Sequence, residues 1–337
     1  MDFIDELILG VVDYVNDAEI DTYGDIAISK RASEIILSER DFDFSYKGSR
    51  KMDFSKSLKL VREFLGKLNP SYLEYYDKRV SDGSFEYSYN DMENNPYSNY
   101  DYKNDKRVIF IPISNTVDDG FSIVHELFHD MNMVIDINKL GLGRYFTTEA
   151  LSFLGELLYA DFLNDKGLYD INVNNNSLCY MRRKALVLNF KLNVISEYLK
   201  NGFLNKKIVL DVLNSYKADE VDIIVENIYE DDDVVDDVND EEFDELDDDF
   251  FINDKNDFCI ETEESYVFSC LIAAYMYDRI KSNKKNINEL FDLNDIVGNL
   301  DLFQVLDYLE IEHNNSELTD ESYELLHKDY KKLIKRW

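Results

Sequence analysis

The sequence predicts a mainly α-helical protein with a small β-sheet. Three observations carry this. Apolar residues recur at helical spacing in segment after segment. Only three prolines occur, all before residue 113, so the long remainder is free of the strongest helix breaker. One run, RVIFIPI at 107–113, has the β-branched and aromatic character of a strand.

At 337 residues, 45% of them apolar, the chain can bury a substantial core. We expect one main body, residues 53–337, preceded by an N-terminal helical segment at 1–52. The net charge of −34 argues against a nucleic-acid partner, because phosphate neutralisation needs clustered Lys and Arg. It would instead draw in cationic ligands. No apolar run is long enough to span a bilayer, and MDFIDELILG carries acids where a secretory signal would carry lysines. A soluble, cytoplasmic protein without a membrane partner is expected. Cys179, Cys259 and Cys270 are odd in number and irregular in spacing, which fits a reducing compartment and implies neither disulfides nor a cysteine metal site.

Residues 1 to about 50 read as one or two amphipathic helices and a polar stretch. From Asp53, Leu58, Val61, Phe64, Leu65 and Leu68 fall on one helical face, with a stop at Asn69-Pro70 and a restart after it. The Asn-, Asp-, Ser- and Tyr-rich stretch to Lys106 reads as irregular hairpins or a long loop. In the strand at 107–113, Pro112 restricts it to a sheet edge or to its own end. Capping residues in SNTVDD open a helix at about 120–134. A second starts after Thr147-Thr148 and runs to about Asn164. Further helices are expected at 181–200, 206–229, 263–283, 288–309 and 319–335. The acidic insertion at about 230–257 is too charged to bury and reads as a solvated loop. A lure for basic peptides or a calcium site is the sharper reading, but the glycine and terminal glutamate of a calcium-binding loop are missing.

The chemistry is concentrated in FSIVHELFHDMNM. His125 and His129, four apart on a helix, project from one face and can reach one metal ion about 2 Å from each nitrogen. Glu126 stands at the edge of that face, where a carboxylate can take a proton from an activated water. Phe121, Val124, Phe128 and Met131 form the apolar stripe that would anchor the helix. Two ordinary surface histidines beside a glutamate would give the same five letters. The remaining histidines, His313 and His327, have no partner motif and read as surface or packing residues. A catalytic zinc usually takes three protein ligands, and Glu149, at the start of the next predicted helix, is the best third. Its position would also suit the helix dipole alone. Glu156, seven residues on, shares its face and can orient a ligand histidine. Asp130 and Asp161 are rival ligands, although Asp130 points away from the two-histidine face.

These residues carry a family resemblance. RVIFIPISNTVDDGFSIVHELFH resembles the strand, loop and active-site helix of the oligopeptidase F and thimet oligopeptidase family of zinc peptidases, with Thr116, Asp118, Asp119, Phe121, His125, Glu126, Leu127 and His129 on its pattern. Glu149, Ser152 and Glu156 reproduce the spacing of the family's glutamate ligand, serine and second glutamate. DFSKSLKLVREFLGKLNPSYLEYY and SYVFSCLIAAYMYDRI are similar to flanking helices, so the resemblance covers roughly residues 53–283.

The resemblance implies a zincin-like metallopeptidase catalytic domain over 53–337, zinc as cofactor, and short peptides cut internally as substrates. It also implies a reduced helical lobe, since the chain before the zinc helix is much shorter than in typical members. The chain departs from the family at three points. No histidine lies between 130 and 312 to help stabilise an oxyanion, Phe268 stands where a tyrosine is expected, and Phe128 replaces a glycine before the second histidine. Phe128 either narrows the site or packs beneath the helix. Tyr266 is the implied hydrogen-bond donor, with Tyr275 and Tyr277 as fallbacks; ordinary aromatic packing is the plainer role for each.

The strand at 107–113 is also expected to hold substrate by edge addition. A peptide-binding or regulatory protein that keeps zinc for structure competes with the enzyme, favoured by the missing histidine, Phe268 and the reduced N-terminal part, and opposed by Glu126. A metal-independent interaction module is the third reading.

Overall fold

The computed structural model describes residues 3–17, 22–38, 50–89, 95–101, 106–132, 143–169, 176–230, 260–283, 285, 302–314 and 317–336. They form a mostly helical chain with a three-stranded sheet and a short two-stranded ribbon. The acidic insertion beyond Glu230, most of the helix expected at 288–309, and Cys259 lie outside the described residues. No helix among the described residues is long and apolar enough to cross a membrane. Cys179 and Cys270 are buried.

The chain divides into two compact units, residues 1–38 with 182–264, and 39–181 with 265–337. The first holds α1 (Phe3–Asp17), α2 (Thr22–Leu37), most of α7 (Asn176–Asn201), α8 (Lys206–Leu213), α9 (Ala218–Glu230) and the first turn of α10 (Glu261–Lys281). The span expected as one helix at 206–229 is thus two, parted by a turn at Asn214 to Lys217. Polar groups are paired inside this unit. Arg182 Nη1 donates to the Ile36 carbonyl at 3.2 Å, and Ser29 Oγ donates to Glu264 at 2.5 Å. Lys191 Nζ donates to both oxygens of buried Glu263 at 3.0 and 3.1 Å.

In the second unit, α3 (Phe54–Leu68) opens on Asp53, whose side chain accepts from the Ser55 amide. Its apolar face buries Leu60, Val61, Phe64 and Leu65. Asn69 closes it through a backbone bond to Leu65, and its side chain caps α4 (Pro70–Ser81) by accepting from the Ser71 amide. Pro70 sits at the first position of α4, where its missing N–H costs nothing. One residue therefore ends one helix and begins the next.

The stretch read as irregular contains β1 (Phe85–Ser88) and β2 (Tyr97–Asp101). They flank β3 (Lys106–Pro112) in the order β1-β3-β2, β1 parallel and β2 antiparallel to it. β3 is therefore the central strand. Its neighbours occupy both edges, which removes the expected addition of substrate to it. Consecutive burial of Ile109, Phe110 and Ile111 is the signature of a strand covered on both faces. Pro112 is its last residue, where no ladder bond is lost.

After β3 the chain turns through Asn115, whose φ of 55° is left-handed. The turn is pinned by bonds from the Met52 amide to the Asn115 carbonyl and from the Val117 amide to the Arg50 carbonyl. Asp119 Oδ1 accepts from the Ser114 amide at 2.8 Å and the Ser114 hydroxyl at 2.6 Å, locking the entry to α5 (Asp118–Asn132). α5 packs on β3, β2 and α3, and most extensively on α6 (Gly143–Asp165). α11 (Leu302–Tyr308) packs on α6 as well, and α12 (Asp320–Arg336) follows the ribbon of β4 (His313–Asn314) and β5 (Glu317–Leu318).

Candidate functional site

The site rests on the pairing of α5 with α6. The buried face of α5 comprises Ile123, Val124, Leu127 and Phe128, whereas Phe121 and Met131 are only half-buried. The anchoring stripe is thus rotated from the one read in the sequence. Phe128 settles the choice left open there: it is fully buried beneath the helix, edge-on to Tyr72 and against Gly155 of α6.

A Cβ at Gly155 would stand 2.5 and 2.6 Å from two carbons of the Phe128 ring. Alanine in a helix gains about 1 kcal/mol over glycine, but overpacking a dense core costs about 1–3 kcal/mol. Gly155→Ala is expected to lower stability in urea titration, and Phe128→Leu in the same chain to restore part of it.

Across this contact three side chains converge. His125 Nε2 and His129 Nε2 are 2.9 Å apart, and each is 3.2 Å from Glu149 Oε2. These are the one group of three potential metal ligands found among the described residues. Glu149 lies in the second turn of α6, not at its start as expected, so a place at the helix N-terminus does not account for it.

Among the described residues, Glu149 Oε2 is buried with no well-aligned hydrogen bond, its two imidazole neighbours notwithstanding. An orphaned carboxylate oxygen facing two imidazole nitrogens fits a cation between them. Tetrahedral zinc with bonds of about 2.0–2.1 Å spaces its ligand atoms about 3.3 Å apart, close to the separations seen.

Glu156 and Ser152 support this group from the same face of α6. His125 Nδ1 lies 2.5 Å from Glu156 Oε1, which leaves Nε2 turned toward Glu149, and Ser152 Oγ donates to the His125 carbonyl at 3.1 Å. Burial disfavours a charged His125, but Glu149 and Glu156 outweigh it and hold its pKa well above the usual value. Burial likewise works against a charged Glu149, and His129 and His125 overcome it, holding the carboxyl well below its ordinary range.

Glu126 is 5% exposed. Burial raises its pKa, only partly offset by His125 and His129. Tyr266, half-buried on α10, has its pKa driven far above the usual phenol value by burial and then by the Glu149 charge, so its hydroxyl stays protonated. Its ring lies 6.0 Å from Phe153, which is 5.6 Å from His125. The two fallbacks are engaged elsewhere, Tyr275 donating to the Leu309 carbonyl and Tyr277 to Asp161. Phe268 is buried.

The rival ligands are held by other groups. Asp161 receives Tyr277 and Lys281, and Asp130 receives Tyr75, Arg79 and Arg107. His313 pairs with Asp307, and neither it nor half-buried His327 joins a cluster of three candidate ligands among the described residues. Sequence reading missed Tyr180, whose exposed ring stands edge-on to Tyr266 at 5.3 Å. No motif links them, so only the fold reveals the pair.

No protein-family model matches the sequence, and no curated protein matches it. Solved structures do match its fold. A protein described as an oligoendopeptidase F from Bacillus anthracis aligns over 100% of this chain and 57% of its own, at 11% identity and a TM-score of 0.54. PZ peptidase A with an inhibitor aligns over 99% of this chain and 59% of its own, at 13% identity and a TM-score of 0.55. A protein described as a peptidase from Chlamydophila abortus aligns over 98% of this chain and 55% of its own, at 15% identity and a TM-score of 0.52. The chain therefore has the mainly helical fold with a small sheet seen in these solved structures, and spans somewhat over half of their length.

Proposed function

We propose that this chain is a zinc-dependent metallopeptidase that hydrolyses internal bonds of short peptides. The observation that carries the proposal is the triangle of His125 Nε2, His129 Nε2 and the orphaned Glu149 Oε2, beside a buried glutamate. His125, His129 and Glu149 would hold the zinc. When bound, it would supply Lewis acidity, polarising a peptide carbonyl and making water a stronger acid.

Each remaining part falls to the chain's own residues. Glu126, whose burial favours its protonated form, takes a proton from the attacking water on a carboxylate oxygen and returns it to the departing amine nitrogen. Tyr266 keeps its proton and donates a hydrogen bond to the oxyanion that develops on the carbonyl. Glu156 holds the His125 ring by its Nδ1. Ser152 ties the backbone beneath that ring to α6.

The test combines zinc content with cleavage of a quenched-fluorescent peptide library, before and after chelation. The expected result is one zinc per chain, cleavage lost on chelation, and cleavage restored by zinc. Zinc at a thousandfold excess over its Kd adds about 4 kcal/mol of stability, so the stripped protein should also melt at a lower temperature. Zinc without cleavage would favour a peptide-binding protein that keeps the metal for structure. Absence of zinc would discard the site.

A further inference from the structure

Asp130 follows His129 in the last turn of α5 and is fully buried. Its carboxylate accepts hydrogen bonds from Tyr75 Oη at 2.7 Å, Arg79 Nε at 2.8 Å and Arg107 Nη1 at 3.1 Å. Its backbone carbonyl accepts from Arg107 Nη1 and, at 3.3 Å, from Tyr75 Oη. Arg79 also donates to the Tyr75 hydroxyl at 2.9 Å, which closes the cluster. Tyr75 and Arg79 come from α4 and Arg107 from the central strand, so two separate elements grip one residue of α5.

The chemistry of a helix end explains part of this. The carbonyls of a last turn lack intrahelical donors, and that end of the helix favours cations. Arg107 and Tyr75 supply donors to the Asp130 carbonyl, and Arg79, which also pairs with Asp82 at 3.2 Å, joins Arg107 in setting guanidinium groups at the end where the helix dipole is negative.

The two candidate ligand histidines are not supported alike. His125 has Glu156 on its Nδ1 and Ser152 on its carbonyl. The polar contacts of the His129 ring among the described residues are those to His125 and Glu149. A ligand histidine is usually aimed by a partner on its second nitrogen. Without one among the described residues, the aim of His129 depends on where its backbone is held.

We propose that the clamp on Asp130 is the positioning device for His129, with Arg107 as its chief residue; this rests on the reading of His129 as a zinc ligand. The helix turn that carries the ligand is fixed from behind, through its neighbour, while the first histidine is fixed from the side, through its ring.

The test measures zinc affinity by competition with a chromogenic chelator, well below the melting temperature, in the wild type, Arg107→Met, Arg107→Lys and Arg62→Met. Arg62 pairs with Asp77 on the surface of α3 and α4 and serves as the matched control. Arg107→Met should weaken zinc binding about 10-fold or more, Arg107→Lys should recover part of it, and Arg62→Met should match the wild type. Amide exchange in the zinc-free protein should quicken at residues 129–132 in Arg107→Met. Should that variant not fold, Tyr75→Phe removes one donor from the same cluster and should weaken zinc severalfold. Wild-type affinity in the clamp variants, even with a lower melting temperature, would reduce the clamp to a stabilising contact and overturn the proposal alone. A wild type that binds no zinc would overturn the site and the clamp together.

Discussion

Glu126→Gln is expected to keep its zinc and to lose about 10²–10⁴-fold in kcat/KM, the range that one positioned acid–base group supplies. The substitution preserves size and removes only the capacity to carry a proton. It breaks no hydrogen bond among the described residues, since none reaches the Glu126 side chain there. Burial raises the Glu126 pKa, so the ionised form is disfavoured in the folded state and opposes folding at neutral pH. A neutral glutamine relieves that cost. The zinc-free variant should therefore melt at the same temperature as the wild type or higher, a gain in stability coupled to loss of activity. Steady-state kinetics, zinc content and a melting curve on one preparation check all three; cleavage within a few-fold of wild type would remove Glu126 from the mechanism.

Glu263→Ala should produce the largest loss of stability. Glu263 and Lys191 have side chains 1% and 8% exposed and share two short contacts. Removing one partner leaves the other charge in the interior, a defect of about 3–5 kcal/mol. Total stabilities run about 5–15 kcal/mol, so this single change takes a large fraction. Replacing both, as Lys191→Met with Glu263→Leu, removes the stranded charge and should recover most of the loss. Urea unfolding of the two singles and the double measures the coupling, and a single-variant cost below about 1 kcal/mol would mean that water reaches the pair.

The parts of the site legible in the sequence are those set by helical periodicity. His125 and His129 share a face because they are four apart, and Glu149, Ser152 and Glu156 share one because three and seven residues are close to whole turns. The start of α6 was misplaced because the threonines before Glu149 look like caps, whereas the helix begins earlier, at Gly143. The sheet was legible only at its centre. β3 is buried on both faces and reads as a continuous apolar run, whereas β1 and β2 keep exposed residues and look like loop. The grip on Asp130 was not legible at all. Tyr75, Arg79 and Arg107 come from distant segments, and no local pattern announces that they meet.

The support that α6 gives the site is metric. Glu149, Ser152 and Glu156 reach α5 from one face because the number of residues between them is fixed. Deleting a single residue in that interval would swing the downstream part of the helix by about 100°, carrying Glu156 off His125 while the composition stayed nearly the same. Ala150, Leu151, Phe153 and Leu154 in that interval are buried as well, so this stretch can diverge only by substitutions that keep its packing, and not by change of length. Insertions that enlarge or trim such a protein must fall outside residues 149–156, in the connections and not in the ruler that sets the site.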